Sequence, residues 1–182
     1  QDLAQLVELI PHIGDQRKQA EVALLHAIAA SERSDYSQVF LHAQEVVHIS
    51  KSQQIDEIEV KANLLWGRAL LSQGDYSGAE EHFADAFNLA NLSQLPILKA
   101  DSLRYLGVVA ERLGDLSTAI DHFEESLVQY RQVGVRRDLP ARQVDGLQPR
   151  LDHLHRLVAR ERSEGGHVGL LVEELPEPLG AH

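Results

Sequence analysis

The sequence predicts an all-α fold, a solenoid of antiparallel helix pairs, from two observations. First, residues 63–90 resemble two helices joined by a tight turn at Gly74-Asp75, with Ala79, Phe83 and Ala86 on one face of the second helix. Second, this pattern recurs further along the chain at one fixed offset, without insertions. The identities between the two copies are Gly67/Gly107, Gly74/Gly114, Asp75/Asp115, Ser77/Ser117, Ala79/Ala119, His82/His122 and Phe83/Phe123.

Weaker copies precede these two and divide the chain. The same offset, applied backwards from the first copy, gives Ala27, Ser34, Asp35, Tyr36, Ser37, Val39, His42 and Ala43. A further step pairs Val7, Leu9 and Gly14 with Val47, Ile49 and Gln54. We therefore expect a repeat domain over residues 1–138, with a half repeat at 1–14 and full repeats at 15–54, 55–94 and 95–134.

The motif small-Gly-x6-Gly-Asp-Tyr-x2-Ala-x3-Phe-x2-Ala resembles the tetratricopeptide repeat. In this chain it comprises Trp66-Gly67, Gly74-Asp75-Tyr76, Ala79, Phe83 and Ala86. The resemblance covers about residues 1–135 and implies a right-handed superhelix. The family's usual period is about 34 residues, so the extra residues are expected after the second helix, in segments such as 91–97, and 51–54 is a predicted polar connector. Elongated repeats of this kind resemble those of large bacterial signalling and transcription regulators.

Beyond Gly134 the repeat spacing is lost, and a different ending is predicted. Leu151, Leu154, Leu157 and Val158 form an apolar helical stripe. We interpret 139–163 as one or more capping helices that cover the last repeat, kinked or split near Pro149; a lever to a further domain is the alternative. Residues 164–182 combine Pro, Gly and acidic residues around an apolar patch, and we expect a mobile tail.

Composition limits the classes of function. The formal net charge is −11, which argues against binding the nucleic-acid backbone. The chain has no cysteine, so disulfide and thiolate chemistry are not available to it. No apolar run approaches the roughly 18 residues of a membrane span, and we expect a cytoplasmic protein. The pattern places Gln1 inside a helix, so we expect a fragment of a longer protein.

The candidate catalytic and metal-binding residues favour structural roles. His42, His82 and His122 occupy one repeat position, but helices that stack roughly 10 Å apart cannot bring them to one ion. Asp75 and Asp115 follow a glycine without the spacing of a phosphate loop, so they are predicted helix N-caps. No catalytic set can be assembled, and we expect neither an enzyme nor a bound cofactor or metal.

The resemblance therefore implies a scaffold that binds proteins or peptides, within a larger regulatory protein. In the family the first helix of each pair lines a concave groove. The matching positions here are Leu24, Ile28, Lys61, Leu64, Arg68, Leu71, Arg104, Val108, Glu111 and Arg112. Because arginine pairs with carboxylates, the predicted partner is a peptide with acidic residues among apolar anchors. Two alternatives remain: a ligand-sensing allosteric domain of a bacterial regulator, and an oligomerisation module using an open N-terminal face.

Overall fold

The computed structural model describes residues 16–134 and 146–163, and every regular element in these two ranges is an α-helix. The helices are α1 (Gln16–Glu32), α2 (Tyr36–Gln53), α3 (Asp56–Gln73), α4 (Tyr76–Leu92), α5 (Pro96–Leu113), α6 (Leu116–Gly134) and α7 (Leu147–Ser163). The predicted all-α class is confirmed. The half repeat at 1–14 and the tail at 164–182 lie outside the described residues, as does the start of the predicted cap.

The chain divides into two compact units, residues 1–98 and residues 99–182. In unit 1, α1 packs on α2, α2 on α3 and α3 on α4, and α1 also contacts α3. In unit 2, α7 packs on α6. Consecutive helices therefore pack pairwise, as predicted for a solenoid of helix pairs. None of the described helices is both long and apolar enough to cross a membrane.

One residue near each connection between helices adopts a left-handed backbone conformation, and these residues recur every half repeat. Ser34, Gln54, Gly74, Gln94 and Gly114 all have positive φ, between 55° and 84°. A residue in this left-handed conformation ends an α-helix, because its amide turns back to bond a carbonyl of the last turn. Gly74 does this towards Leu70 and Leu71. Helices α1 to α5 are thus all followed by a left-handed residue, and these residues are evenly spaced along the chain.

This period corrects the predicted position of the extra residues. We expected them after the second helix, in segments such as 91–97, yet α4 continues to Leu92. Helix α2 likewise continues to Gln53, through most of the predicted connector 51–54. Helices α1 to α6 are 17 to 19 residues long, and the connections between them are short turns. The additional length therefore lies within the helices, because the left-handed residues that stop them stand at 54 and 94 and not earlier.

Aspartates start the second helix of each pair, as predicted. The carboxylate of Asp75 accepts a hydrogen bond from the amide of Gly78 at 3.0 Å, and Asp35 accepts one from Gln38 at 3.3 Å. Asp115 accepts from both the amide and the hydroxyl of Thr118. These bonds lower the pKa of Asp115 and satisfy amides that have no partner within the helix.

The second helices bury the same four positions in every repeat. In α2 these are Val39, Ala43, Val46 and Ser50; the equivalent residues of α4 and α6 are buried as well. Ala79 and Ala119 are fully buried, as the sequence predicted. The spacing of three and four residues places the four positions on one stripe, which faces the first helices.

Glycines in the first helices admit a phenylalanine from the second. A Cβ added at Gly67 would lie 2.6 Å from the ring of Phe83, and one at Gly107 would lie 2.7 Å from the ring of Phe123. Both rings are fully buried. The Gly67–Phe83 pair therefore sets how closely α3 approaches α4, and the Gly107–Phe123 pair does the same for α5 and α6.

Candidate functional site

The ten predicted groove residues divide into buried and accessible ones. Leu24, Leu64, Val108 and Glu111 are buried, whereas the other six are partly or largely accessible. Leu24 belongs to the core of unit 1, together with Val46 and Leu65. Because their side chains are enclosed by the protein's own packing, the four buried residues are withdrawn from the candidate surface. The remaining positions are Ile28, Lys61, Arg68, Leu71, Arg104 and Arg112.

Glu111 has a structural partner that the sequence did not predict. In unit 2 it accepts a bond at 2.5 Å from Nε of Arg150, whose Nη2 contacts the same carboxylate oxygen. Both side chains are buried, and the Arg150 guanidinium lies 5.4 Å from the centre of the Phe123 ring. The pair therefore links α7 to α5. The sequence contains one signal for this pair: Arg150 lies within the apolar stripe formed by Leu147, Leu151 and Leu154, where a buried cation needs an anionic partner.

Arg104, expected to bind ligand, is also part of a network within unit 2. Its Nη2 lies 3.7 Å from Asp101 Oδ1, and its guanidinium lies 4.0 Å from the centre of the Tyr105 ring. The same oxygen of Asp101 accepts a hydrogen bond from the buried Tyr130 hydroxyl at 2.5 Å. Burial, together with the Asp101 charge, raises the pKa of Tyr130, so the hydroxyl stays protonated and donates. The guanidinium of Arg104 thus already interacts with a carboxylate and a ring within unit 2, which leaves less of it for a ligand.

In unit 1 the accessible positions share one face of α3. Lys61, Arg68 and Leu71 are spaced by seven and three residues, which places them on one side of the helix. Lys61 donates to Glu57 at 2.6 Å across the helix surface, and this contact lowers the pKa of Glu57. Ile28 occupies the position on α1 that corresponds to Arg68, and α1 contacts α3. We call Ile28, Lys61, Arg68 and Leu71 the unit 1 surface.

The repeated histidines of unit 1 make packing contacts, and each lies beside a ring of the preceding helix. The His82 ring stacks on Trp66 with centroids 4.4 Å apart, and its Nδ1 lies 3.0 Å from the amide oxygen of Asn63. Burial lowers the pKa of His82. His42 meets the edge of His26 at 5.1 Å. Within residues 16–134 and 146–163 there is no group of three or more potential metal ligands.

The comparisons with known proteins concern the repeats and the fold. The family model of the tetratricopeptide repeat matches residues 59–132. Among solved structures, the crystal structure of the apo form of RapI is similar, with a TM-score of 0.74 and 14% sequence identity over 86% of this chain. The chain spans 55% of the length of that protein, and at this identity the similarity concerns the fold alone. The search of curated proteins finds no match.

Proposed function

We propose, from the match of residues 59–132 to the tetratricopeptide-repeat model, that this chain binds a peptide segment of a protein partner on the unit 1 surface. Tetratricopeptide repeats are protein-interaction scaffolds. The observation that supports the proposal is that α3 packs through one face and leaves residues of another face partly accessible. Ala62, Leu65 and Ala69 share one face of this helix and are buried, whereas Lys61, Arg68 and Leu71 are partly accessible on another.

The chemistry of the unit 1 surface favours a partner that carries both apolar and acidic groups. Ile28 and Leu71 offer apolar contact area, and burying such side chains stabilises a complex. The guanidinium of Arg68 has an interaction within the protein and is partly accessible, and a carboxylate of the partner would be an additional contact of the kind that arginine favours. In a chain of net charge −11 such an arginine acts locally, because the long-range field repels an acidic ligand.

The proposal is tested by a peptide-library screen followed by affinity measurements with the best ligand. We expect ligands with acidic residues among apolar anchors, bound more weakly as salt is raised. Arg68→Ala should weaken binding by roughly 30-fold, the loss expected for a central anchor of about 2 kcal/mol. Arg33→Ala, which removes the same charge from the exposed turn after α1, is the control and should bind normally. Basic ligands, or equal binding by both variants, would refute the assignment.

A ligand-sensing role is our second proposal, and the same ligand tests it. A sensor changes conformation when the ligand binds, whereas a passive scaffold does not. Small-angle scattering of the chain with and without the selected peptide distinguishes the two. A profile that shifts beyond the added mass of the peptide supports a sensor, and superimposable profiles support a scaffold.

A further inference from the structure

We propose that unit 2 has a binding site at Glu111 for an amphipathic helix that carries an arginine between leucines, and that α7 occupies this site within the chain. Glu111 stands on α5 at the position that Leu71 has on α3. Leu71 is partly accessible and belongs to the unit 1 surface, whereas Glu111 is only 2% exposed and is bonded by Arg150 of α7. A helix of the chain itself is therefore bound at a position that is accessible in the preceding repeat.

Helix α7 has the residue pattern of a helical ligand. It packs on α6 and is bonded to α5 through Arg150. Four of its residues are at most 5% exposed, namely Leu147, Arg150, Leu151 and Leu154. Their spacing is i, i+3, i+4 and i+7, with which amphipathic helices place anchors in a groove. The contacts of Arg131 with Gln148 at 3.1 Å and of Glu124 with His155 at 3.5 Å join exposed side chains, so they form a polar edge around the anchors, as at interfaces between separate proteins.

The ion pair at the centre of this contact is incompletely hydrogen-bonded. Both Nε and Nη2 of Arg150 contact one oxygen of Glu111, Oε2, whereas Oε1 is buried and has no hydrogen-bond partner among the described residues. A guanidinium binds a carboxylate most strongly through two parallel hydrogen bonds, one to each oxygen. A buried oxygen without a donor loses the compensation for its desolvation. An arginine that reached both oxygens would therefore bind Glu111 better than Arg150 does, and a partner helix that carries one can displace α7.

The same pair makes the site selective for a basic helix. A helix with an apolar residue in place of the arginine would leave the Glu111 carboxylate buried without a counter-charge, which is strongly unfavourable. The Phe123 ring, with its centre 5.4 Å from the Arg150 guanidinium, also favours a cation at this position. A cap with a purely structural role would not need the pair, because apolar residues of similar size are often as stabilising.

This site uses other residues than the unit 1 surface and takes a ligand of the opposite charge, so either proposal can fail without the other. Arg68 favours an acidic group of a partner, whereas Glu111 selects a basic one. Because α7 belongs to the same chain, it competes with a partner at a high effective concentration. We therefore expect weak binding to the unmodified chain, and tighter binding once the contact of α7 is weakened.

Binding of a separate α7 peptide to the full chain tests the site. The probe is a labelled synthetic peptide with the sequence of residues 146–163. The chain variant Arg150→Gln weakens the intramolecular occupant, so it should bind the probe roughly tenfold more tightly than the unmodified chain does. A second probe that itself carries Arg150→Gln should bind this variant roughly tenfold more weakly than the first probe. Arg156→Gln, which removes a charge from an exposed position of α7, is the matched control in chain and probe and should change neither affinity.

Two results would overturn the inference. If the Arg150→Gln chain binds both probes equally, or binds the first probe no more tightly than the unmodified chain does, Glu111 does not form a binding site for such a helix. Light scattering of the unmodified chain examines a second copy as the occupant. A dimer that the probe dissociates would assign the site to α7 of another copy and would exclude the partner proposed above.

Hydrogen exchange on the unmodified, isotope-labelled chain provides a measurement that does not depend on any variant folding. A helix that can be displaced opens without unfolding of the rest, so amides of α7 should be less protected than those of α5 and α6. An excess of unlabelled probe should accelerate exchange in α7 and leave α6 unchanged. If α7 exchanges only together with α5 and α6, and the probe has no effect, α7 is a permanent part of unit 2 and the inference is wrong.

Discussion

Gly107 illustrates how a single residue sets the distance between two helices. The missing side chain leaves room for the Phe123 ring, which would lie 2.7 Å from a Cβ at this position. The same arrangement recurs at Gly67 and Phe83, the equivalent residues of the preceding repeat. Because both partners are rigid and buried, the contact leaves no room for adjustment at either end.

Replacement of Gly107 by alanine is therefore expected to destabilise unit 2. Overpacking of a filled core costs about 1–3 kcal/mol, more than the helix propensity that alanine contributes. Denaturant unfolding should show a lower midpoint for Gly107→Ala. In a Phe123→Leu background, where a smaller side chain replaces the ring, Gly107→Ala should lower the free energy of unfolding by less. Equal costs in the two backgrounds would mean that the ring does not limit this site.

The buried Arg150–Glu111 pair is a second contact between single residues, and it joins two helices through charge. Each ion has lost its water, and Glu111 Oε1 has no hydrogen-bond partner among the described residues. The pair thus depends on mutual attraction to offset desolvation. Removing one partner leaves an uncompensated charge in the core.

We expect Arg150→Met to lower the free energy of unfolding by about 3–5 kcal/mol. The double variant Arg150→Met with Glu111→Leu should recover most of the loss, because two apolar side chains of similar size need no partner. Chemical unfolding of the four proteins in this cycle measures the coupling. A double variant as unstable as Arg150→Met would show that packing, and not charge, is responsible.

At the scale of elements, the half-repeat period of left-handed residues explains why the helices are long and end sharply. Two of the five positions carry glycine, and three carry Ser34, Gln54 and Gln94. A side chain in the left-handed region costs about 1–2 kcal/mol. The surrounding helices impose this conformation on the three residues, since the same stop recurs at each position.

Gln94→Gly should consequently stabilise the protein by about 0.5–1 kcal/mol, because glycine removes the steric cost and loses part of the gain through its larger unfolded-state entropy. Thermal unfolding should show a higher Tm. The matched control is Gln44→Gly, an exposed position in the middle of α2. That change should lower the Tm, since glycine costs about 1 kcal/mol within a helix. A decrease for both variants would contradict the role assigned to Gln94.

For the whole molecule, the described ends of the helix array are the positions at which apolar faces need cover. Leu147, Leu151 and Leu154 of α7 are buried, and α7 packs on α6. Pro149, expected to kink or split a helix, lies in the first turn of α7, where no amide donor is required. The position of α7 supports, as a proposal, the capping role suggested for residues 139–163.

Truncation at two points should separate the cap from the tail. Removing residues 164–182 should leave the Tm almost unchanged. Removing residues 140–182 should expose the α6 face that α7 covers, lower the Tm, and promote association through the uncovered apolar surface. Light scattering coupled to size exclusion, at several concentrations, reports association, and thermal unfolding reports the Tm. A longer truncation that stays monomeric and equally stable would exclude the capping role.

The sequence by itself determined the all-α class, the repeat period, the aspartate caps and the small buried residues, because each depends on local spacing that repeats along the chain. It did not locate the extra residues, since the left-handed conformations of Gln54 and Gln94 are imposed by neighbouring helices and not by their side chains. Nor could it separate accessible from buried groove positions. Glu111 matches the groove pattern as well as Leu71 does, and only tertiary structure brings Arg150 to it. Spacing along a helix defines a face, but what covers that face depends on residues distant in sequence.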